Sequence, residues 1–211
     1  EGHARGQARC QLQRTLAPRH EVHRHRGREA IDEIDIIPKY TGTLIHDCWA
    51  SYLSYDNTGH ALCGAHLLRE LKYTEEADGY AWATKLKLIL QDALEIVNSR
   101  PGKRTLTKQE YKSLQSRYRN ALTRGLSEMP AFPEKSGLKG RTKKSDAQNL
   151  WERLWKYEDS VLMFARVKEI DFTNNRAERD LRVSKVKQKV SGGFRTHEMA
   201  VAFYRISSYV K

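Results

Sequence analysis

Phe172-Thr173-Asn174-Asn175-Arg176-Ala177-Glu178-Arg179-Asp180-Leu181-Arg182 reads as the beginning of a helix. Asn174 is a suitable N-cap, because its side-chain oxygen accepts a backbone N–H of the first turn. Beyond the cap, Glu178, Arg182, Lys185 and Lys189 follow at i, i+4, i+7 and i+11 and share one helical face. One carboxylate above a ladder of cations suits a site that holds a metal ion and runs along a phosphate backbone. Ser191-Gly192-Gly193 ends this helix.

The surrounding chain is consistent with such a partner. It has 211 residues and a formal net charge of +12, which favours an anionic partner, nucleic acid before membrane surface. Hydrophobic residues make up 39% of the chain, enough for a folded core. No apolar run approaches the roughly 20 residues of a membrane span, and no signal peptide opens the chain. The three cysteines, Cys10, Cys48 and Cys63, form neither an even disulfide framework nor a paired metal spacing, so a reducing cytoplasm is the expected compartment.

Residues 1–25 are rich in Arg, His and Gln and keep no period of 2 or 3.6. Short strands over 11–15 and 20–25 are the most that this segment suggests. His20, His23 and His25 lack acidic or cysteine companions and read as a solvated basic segment rather than a metal site. From Arg28 to Ile34 the pattern is a short helix, ended before Pro38. Thr43-Leu44-Ile45-His46 is an apolar strand with Asp47 at its C-terminal end, where α/β sheets build their sites.

After the turn Asp56-Asn57-Thr58-Gly59, the expected pattern is helical to about Val167, with no strand. A helix is expected from about His60 to Tyr73, with Leu62, Cys63, His66 and Leu67 on its core face. The spacing His60-x-x-Cys63-x-x-His66 drifts about 60° per step around a helix, which argues against a shared zinc ion. Tyr80 to Asn98 is strongly amphipathic, and Thr107-x-x-Glu110 and Ser145-x-x-Gln148 are capping boxes that open further helices. Lys135, Lys139, Arg141, Lys143 and Lys144 form a glycine-punctuated cationic loop suited to phosphates. The last helix begins at His197, with Met199, Phe203, Ile206 and Val210 as its expected buried stripe.

Asp47 and Glu178 are two carboxylates that a fold could bring together around Mg²⁺, which takes one or two carboxylates plus substrate phosphates. Two such ions, ~3.5–4 Å apart, serve phosphodiester cleavage in known nucleases and polymerases. The stretches Tyr40-Thr41-Gly42-Thr43-Leu44-Ile45-His46-Asp47-Cys48-Trp49-Ala50-Ser51-Tyr52, His60-Ala61-Leu62-Cys63-Gly64-Ala65-His66-Leu67-Leu68-Arg69-Glu70-Leu71 and Thr173-Asn174-Asn175-Arg176-Ala177-Glu178-Arg179 resemble the DDE transposases of the bacterial insertion-sequence 66 family. The tail from Lys185 to Arg195 is similar to that family as well, so that the resemblance runs from about Arg26 to Lys211.

The resemblance implies an α/β, mostly helical fold: a ribonuclease H-like core, incomplete at its N-terminus and interrupted by a large all-helical insertion. Residues 26–58 and 171–211 would be the core pieces, 59–170 the insertion, and 1–25 an irregular basic segment outside the family pattern. It further implies Asp47 and Glu178 as the second and third catalytic carboxylates and as ligands of Mg²⁺, and transposon-end DNA as partner. Arg182, Lys185, Lys189, Lys143 and Lys144 are the expected DNA contacts. A bacterial cytoplasmic location follows, and a homo-oligomer stays open.

The first aspartate of such a triad has no counterpart, since only Asp32 and Asp35 precede Asp47 and neither matches the motif. The segment 1–25 looks like a shifted reading frame or a junction. The expectation is therefore an inactive, truncated transposase domain. The alternatives are an enzyme whose missing carboxylate comes from Asp35 or a partner subunit, and a non-catalytic basic DNA-binding module.

Overall fold

The computed structural model describes residues 23, 25, 27–102, 105–132, 144–175, 179 and 182–209. The helix α1 (Arg28–Ile34) leads through a 3-10 turn at Ile37–Lys39 to strand β1 (Thr43–His46). A second 3-10 turn at Tyr52–Ser54 precedes strand β2 (Gly59–Leu62). Helices α2 (Gly64–Asp78), α3 (Ala81–Ser99), α4 (Lys108–Glu128), α5 (Asp146–Lys156), α6 (Glu158–Val161) and α7 (Met163–Arg166) follow. Helices α8 (Arg182–Ser191) and α9 (His197–Tyr209) close the described chain. The architecture is thus mostly helical, with β1 and β2 pairing in a two-stranded parallel sheet among the described residues.

The chain divides into two compact units, one drawn from both ends (to His60 and from Thr173), the other from Ala61 to Phe172. In the first, Ile31, Ile37, Leu44, Tyr52 and Tyr55 form a buried cluster, with Tyr40 and Trp49 packed against it. Polar bonds tie the connecting loops to that core. The Tyr55 hydroxyl donates to Asp32 at 2.6 Å, and Asn57 Nδ2 donates to the carbonyls of Pro38 and Tyr40 at 2.9 and 3.0 Å. Asn57 thereby holds the turn before β2 against the segment that enters β1.

The expected helix from His60 gives way to a strand. Gly59 N–H donates to the Gly42 carbonyl at 2.9 Å, and Ala61 and Leu62 are buried. Four residues with two apolar ones fit a buried strand as well as a helix, so periodicity does not separate the two. The long central segment is therefore not helical from its first residue: strand holds Gly59–Leu62, Cys63 is the extended N-cap, and α2 begins at Gly64.

The second unit is a helical body. Helix α3 packs on α2 and α4, and α5 packs on α2 and α4. Leu67, Leu71, Trp82, Leu86, Leu90, Tyr118, Leu122 and Leu154 are buried in it. Both capping boxes form: Thr107 and Glu110 bond reciprocally to each other's backbone N–H, as do Ser145 and Gln148. Two polar bonds lock α5 to α4, Tyr118 OH to the Leu154 carbonyl at 2.9 Å and Trp151 Nε1 to the Leu122 carbonyl at 2.7 Å. Inside a dry core such bonds satisfy groups that would otherwise be costly to bury.

The two ends of this unit meet. Gly64 N–H donates to the Phe172 carbonyl at 2.7 Å. The Phe172 ring lies over Gly64 so closely that a Cβ there would come within 2.1–2.5 Å of ring carbons. Phe164 packs edge-on against the same ring at 4.7 Å between centroids. Only glycine allows this approach.

At the C-terminus, α8 ends at Ser191, and Gly192 and Gly193 turn the chain at φ values of 69° and 118°, where side chains are strained. The expected stripe on α9 is corrected. Met199 and Ile206 are 56% and 64% exposed, whereas Ala200 and Tyr204 are buried. Phe194, from the preceding turn, packs on Phe203 and Tyr204 at 5.1 and 5.9 Å, and so draws a face of α9 one residue further round into the core. Val210 lies outside the described residues, as do 11–15; His23 and His25 are not in a strand.

Replacing Gly64 by Ala should destabilise the protein by about 1–3 kcal/mol through overpacking. A second substitution, Phe172→Leu, should restore part of that loss, so the pair should be non-additive in urea unfolding midpoints.

Candidate functional site

The first part of the site is the end of β1. His46 is buried, as are Leu44 and Ile45 before it, while Asp47, just past the end of the strand, is exposed. The chain then turns sharply, because Cys48 has a φ of 65°, a left-handed conformation that a side chain makes unfavourable. The turn is held from within. Cys48 N–H donates to His46 Nδ1 at 3.1 Å. That bond leaves the His46 proton on Nε2, which lies 3.2 Å from His60 Nδ1. His60 Nε2 in turn lies 3.1 Å from the Tyr55 carbonyl, an acceptor only. The directions agree along the whole chain when both rings are neutral with the proton on Nε2.

Burial, then the nearby His60, lowers the His46 pKa from 6.5 to about 4, against an upward pull from Asp47. Tyr52 stands against the His46 ring at 5.3 Å, with Trp49 edge-on to Tyr52 at 5.2 Å. This apolar wall explains why His46 stays neutral, and it leaves Asp47 as the charged group that the turn presents to solvent.

The second part lies in the C-terminal segment. Asn174 is buried, Asn175 and Arg179 are helical, and α8 begins at Arg182. Asn175, Arg179, Arg182 and Lys185 line a cavity of ≈ 490 Å³. Arg179, Arg182 and Lys185 are exposed, as is Lys189 one turn further along α8. Among the described residues three cations and an amide line this open cavity, a set suited to an anion, since guanidinium groups grip phosphate oxygens in pairs and ammonium groups act as point charges.

Glu178 and Lys143 lie outside the described residues. Lys144 is described and engaged: it forms an ion pair with Glu152 and stands 5.7 Å above the Phe132 ring. Among the described residues no group of three His, Cys, Asp or Glu side chains is arranged to hold a metal ion. Asp47, an exposed carboxylate on a pinned turn beside a neutral ring, fits a hard cation as one oxygen ligand. Asp32 and Asp35 do not join it. Asp32 accepts the Tyr55 hydroxyl on α1, and Asp35 is the left-handed C-cap of α1, ion-paired with Lys39.

Comparison with known proteins supplies the remaining context. A family profile described as Transposase IS66 family matches residues 7–202. The chain belongs to that family. No curated protein and no solved structure matches it significantly. For this member of the IS66 transposase family, the match begins at residue 7, so most of the segment 1–25, expected to lie outside the family pattern, falls within it. No helix among the described residues is long and apolar enough to cross a membrane.

Sequence reasoning missed His46, His60, Asn175 and Arg179. A polar ring inside an apolar strand was a signal for His46. For Arg179 the signal was its place three residues before Arg182, on the same helical face. His60 stood out only in the spacing His60-x-x-Cys63-x-x-His66, and its place beside His46 depends on a strand pairing.

Because the buried His46 resists protonation while its unfolded counterpart titrates normally, the unfolded state binds more protons below pH 6.5. The contribution is complete above that pH and is lost as pH falls toward 4, reaching about 3 kcal/mol. Urea midpoints measured in EDTA between pH 7.5 and 4.5 should fall less steeply in a folded His46→Gln variant than in the unsubstituted chain.

Proposed function

We propose that this chain is part of a DDE-type transposase catalytic domain whose core is ribonuclease H-like and whose helical body, Ala61 to Phe172, is an insertion into it. Its substrate is DNA, at the ends of a mobile element. The observation that carries this reading is the cationic cavity of Asn175, Arg179, Arg182 and Lys185. It sits beside the family's glutamate motif in sequence, in the same compact unit as the Asp47 turn. Membership of the transposase family supports it independently.

In this reading Arg179, Arg182, Lys185 and Lys189 hold the phosphate backbone, and Asp47 and Glu178 would hold Mg²⁺. When bound, the ion supplies Lewis-acid polarisation of the scissile phosphodiester. The protein's own contribution is orientation: a fixed strand-end carboxylate and a row of cations that set the register of the strand. These 211 residues offer two of the three acidic positions of such a site, with Asp32 and Asp35 committed to α1. In this reading the cations bind DNA, and cutting is not expected of Asp47 and Glu178 alone.

A non-catalytic basic DNA-binding module is the second reading, favoured by the same exposed cations. Both readings expect metal-independent binding of duplex DNA whose affinity falls steeply with salt. Substituting Arg182 or Lys185 by Ala should weaken binding uniformly across sequences and reduce the log–log salt slope by about 1 each. The two readings separate in a metal titration followed by NMR. Mn²⁺ should broaden signals of Asp47 first in a transposase remnant, and should broaden no site preferentially in a simple basic module. Mg²⁺-dependent cleavage by the purified chain that disappears in Asp47→Ala would overturn the expected inactivity.

A further inference from the structure

We propose that His46 and His60 are positioning residues for Asp47, a two-ring relay that fixes the backbone turn on which this carboxylate stands. The inference rests on the reading of Asp47 as a metal ligand, but its physical basis is the turn itself. A strand leaving the sheet continues in extended conformation unless something redirects it. Here the redirection occurs at Cys48, whose φ of 65° is unfavourable for a residue with a Cβ. A single such residue costs about 1–3 kcal/mol and persists only where its surroundings over-determine it.

The surroundings are specific. The Cys48 N–H is satisfied by His46 Nδ1 at 3.1 Å, two residues back along the same chain. A histidine ring swings freely about its own side-chain bonds, so this acceptor works only if the ring is held. It is held at its far nitrogen by His60 Nδ1 at 3.2 Å, and the two rings stand edge to face at 88°. The His60 ring is held in turn by the Tyr55 carbonyl at 3.1 Å, with Thr58 Oγ1 at 3.5 Å. Thr58 Oγ1 itself donates to the same Tyr55 carbonyl at 3.1 Å. Tyr55 belongs to the buried cluster of this unit and reaches α1 through its hydroxyl. The position of Asp47 is therefore referred, bond by bond, to the hydrophobic core.

Each link has one workable direction. Nδ1 of His46 must be bare to accept the Cys48 N–H, so its Nε2 donates. Nδ1 of His60 must then accept, so its own Nε2 donates to the carbonyl. Either ring in the other tautomer would break two bonds. Asp47 lies between the two residues that close the turn, His46 and Cys48, and has no independent way to move its backbone.

The test uses the 211-residue chain, ¹⁵N-labelled, at pH 7.5. Long-range ¹H–¹⁵N spectra of the unsubstituted protein should show both rings protonated at Nε2 and bare at Nδ1. In His46→Phe, which keeps a ring against Tyr52, exchange of the Cys48 amide should quicken at least tenfold. The Mn²⁺ concentration that half-broadens Asp47 should rise at least fivefold while the urea midpoint changes little. His46→Asn, whose side-chain oxygen can accept the N–H two residues on, should recover much of both. His60→Ala should loosen the Cys48 amide in the same way without touching its acceptor. A proton on Nδ1 of either ring in the unsubstituted protein would overturn the relay, even if no variant folds. Unchanged Cys48 exchange in folded His46→Phe would do so as well. Should Mn²⁺ fail to broaden Asp47 at all while tautomers and exchange behave as stated, the relay stands and the metal reading falls.

Discussion

The contact between Gly64 and Phe172 is the constraint on which the chain's organisation depends. The residues between them form a body with its own core. One backbone hydrogen bond and a ring stacked on a bare Cα hold its two ends together. The closure is local in space but spans more than a hundred residues of sequence, so its loop-closure entropy is large and must be offset by the helical core it encloses. That core offsets it with ordinary means: apolar stripes on α2, α3, α4 and α5, and hydrogen bonds from Tyr118 and Trp151 that fix how the helices dock.

The candidate site divides electrostatically. At the end of β1, burial and then the nearby His60 hold the His46 pKa down, so Asp47 is the acidic group that the pinned turn presents to solvent. In the C-terminal segment, positive charges are gathered around an open cavity instead. Neither arrangement is costly, because the ionic groups remain in contact with water and the buried polar groups are paired with one another.

Ion pairs elsewhere have a different role. Glu158 accepts both Arg119 and Gln115 across the interface of α4 with α6, and Glu70 pairs with Arg153 between α2 and α5. These carboxylates join helices and are not available for chemistry. Lys144, one of the cations expected to meet DNA, is spent in the same way on Glu152. A cation in a basic loop is thus not equivalent to a cation on an exposed helix face, and sequence does not distinguish them.

What the sequence determined by itself is whatever depends on neighbours along the chain. The limits of α1 and β1, the capping boxes at Thr107 and Ser145, the amphipathic helix near residues 80–98 and the glycine stop after Ser191 follow from side chains acting within a turn or two. The family, and with it the candidate roles of Asp47 and the Arg182–Lys189 face, was legible because motifs keep their residues together. The tertiary structure decided the rest. Gly59–Leu62 became a strand because β1 was there to pair with it, and α9 turned Met199 and Ile206 outward because Phe194 packed on a neighbouring face. The relay from Cys48 through His46 and His60 to Tyr55 exists only once that strand pairing brings two histidines fourteen residues apart within hydrogen-bonding distance. Propensity is a property of a segment, whereas burial and hydrogen-bond partnership are properties of the surface that the segment meets.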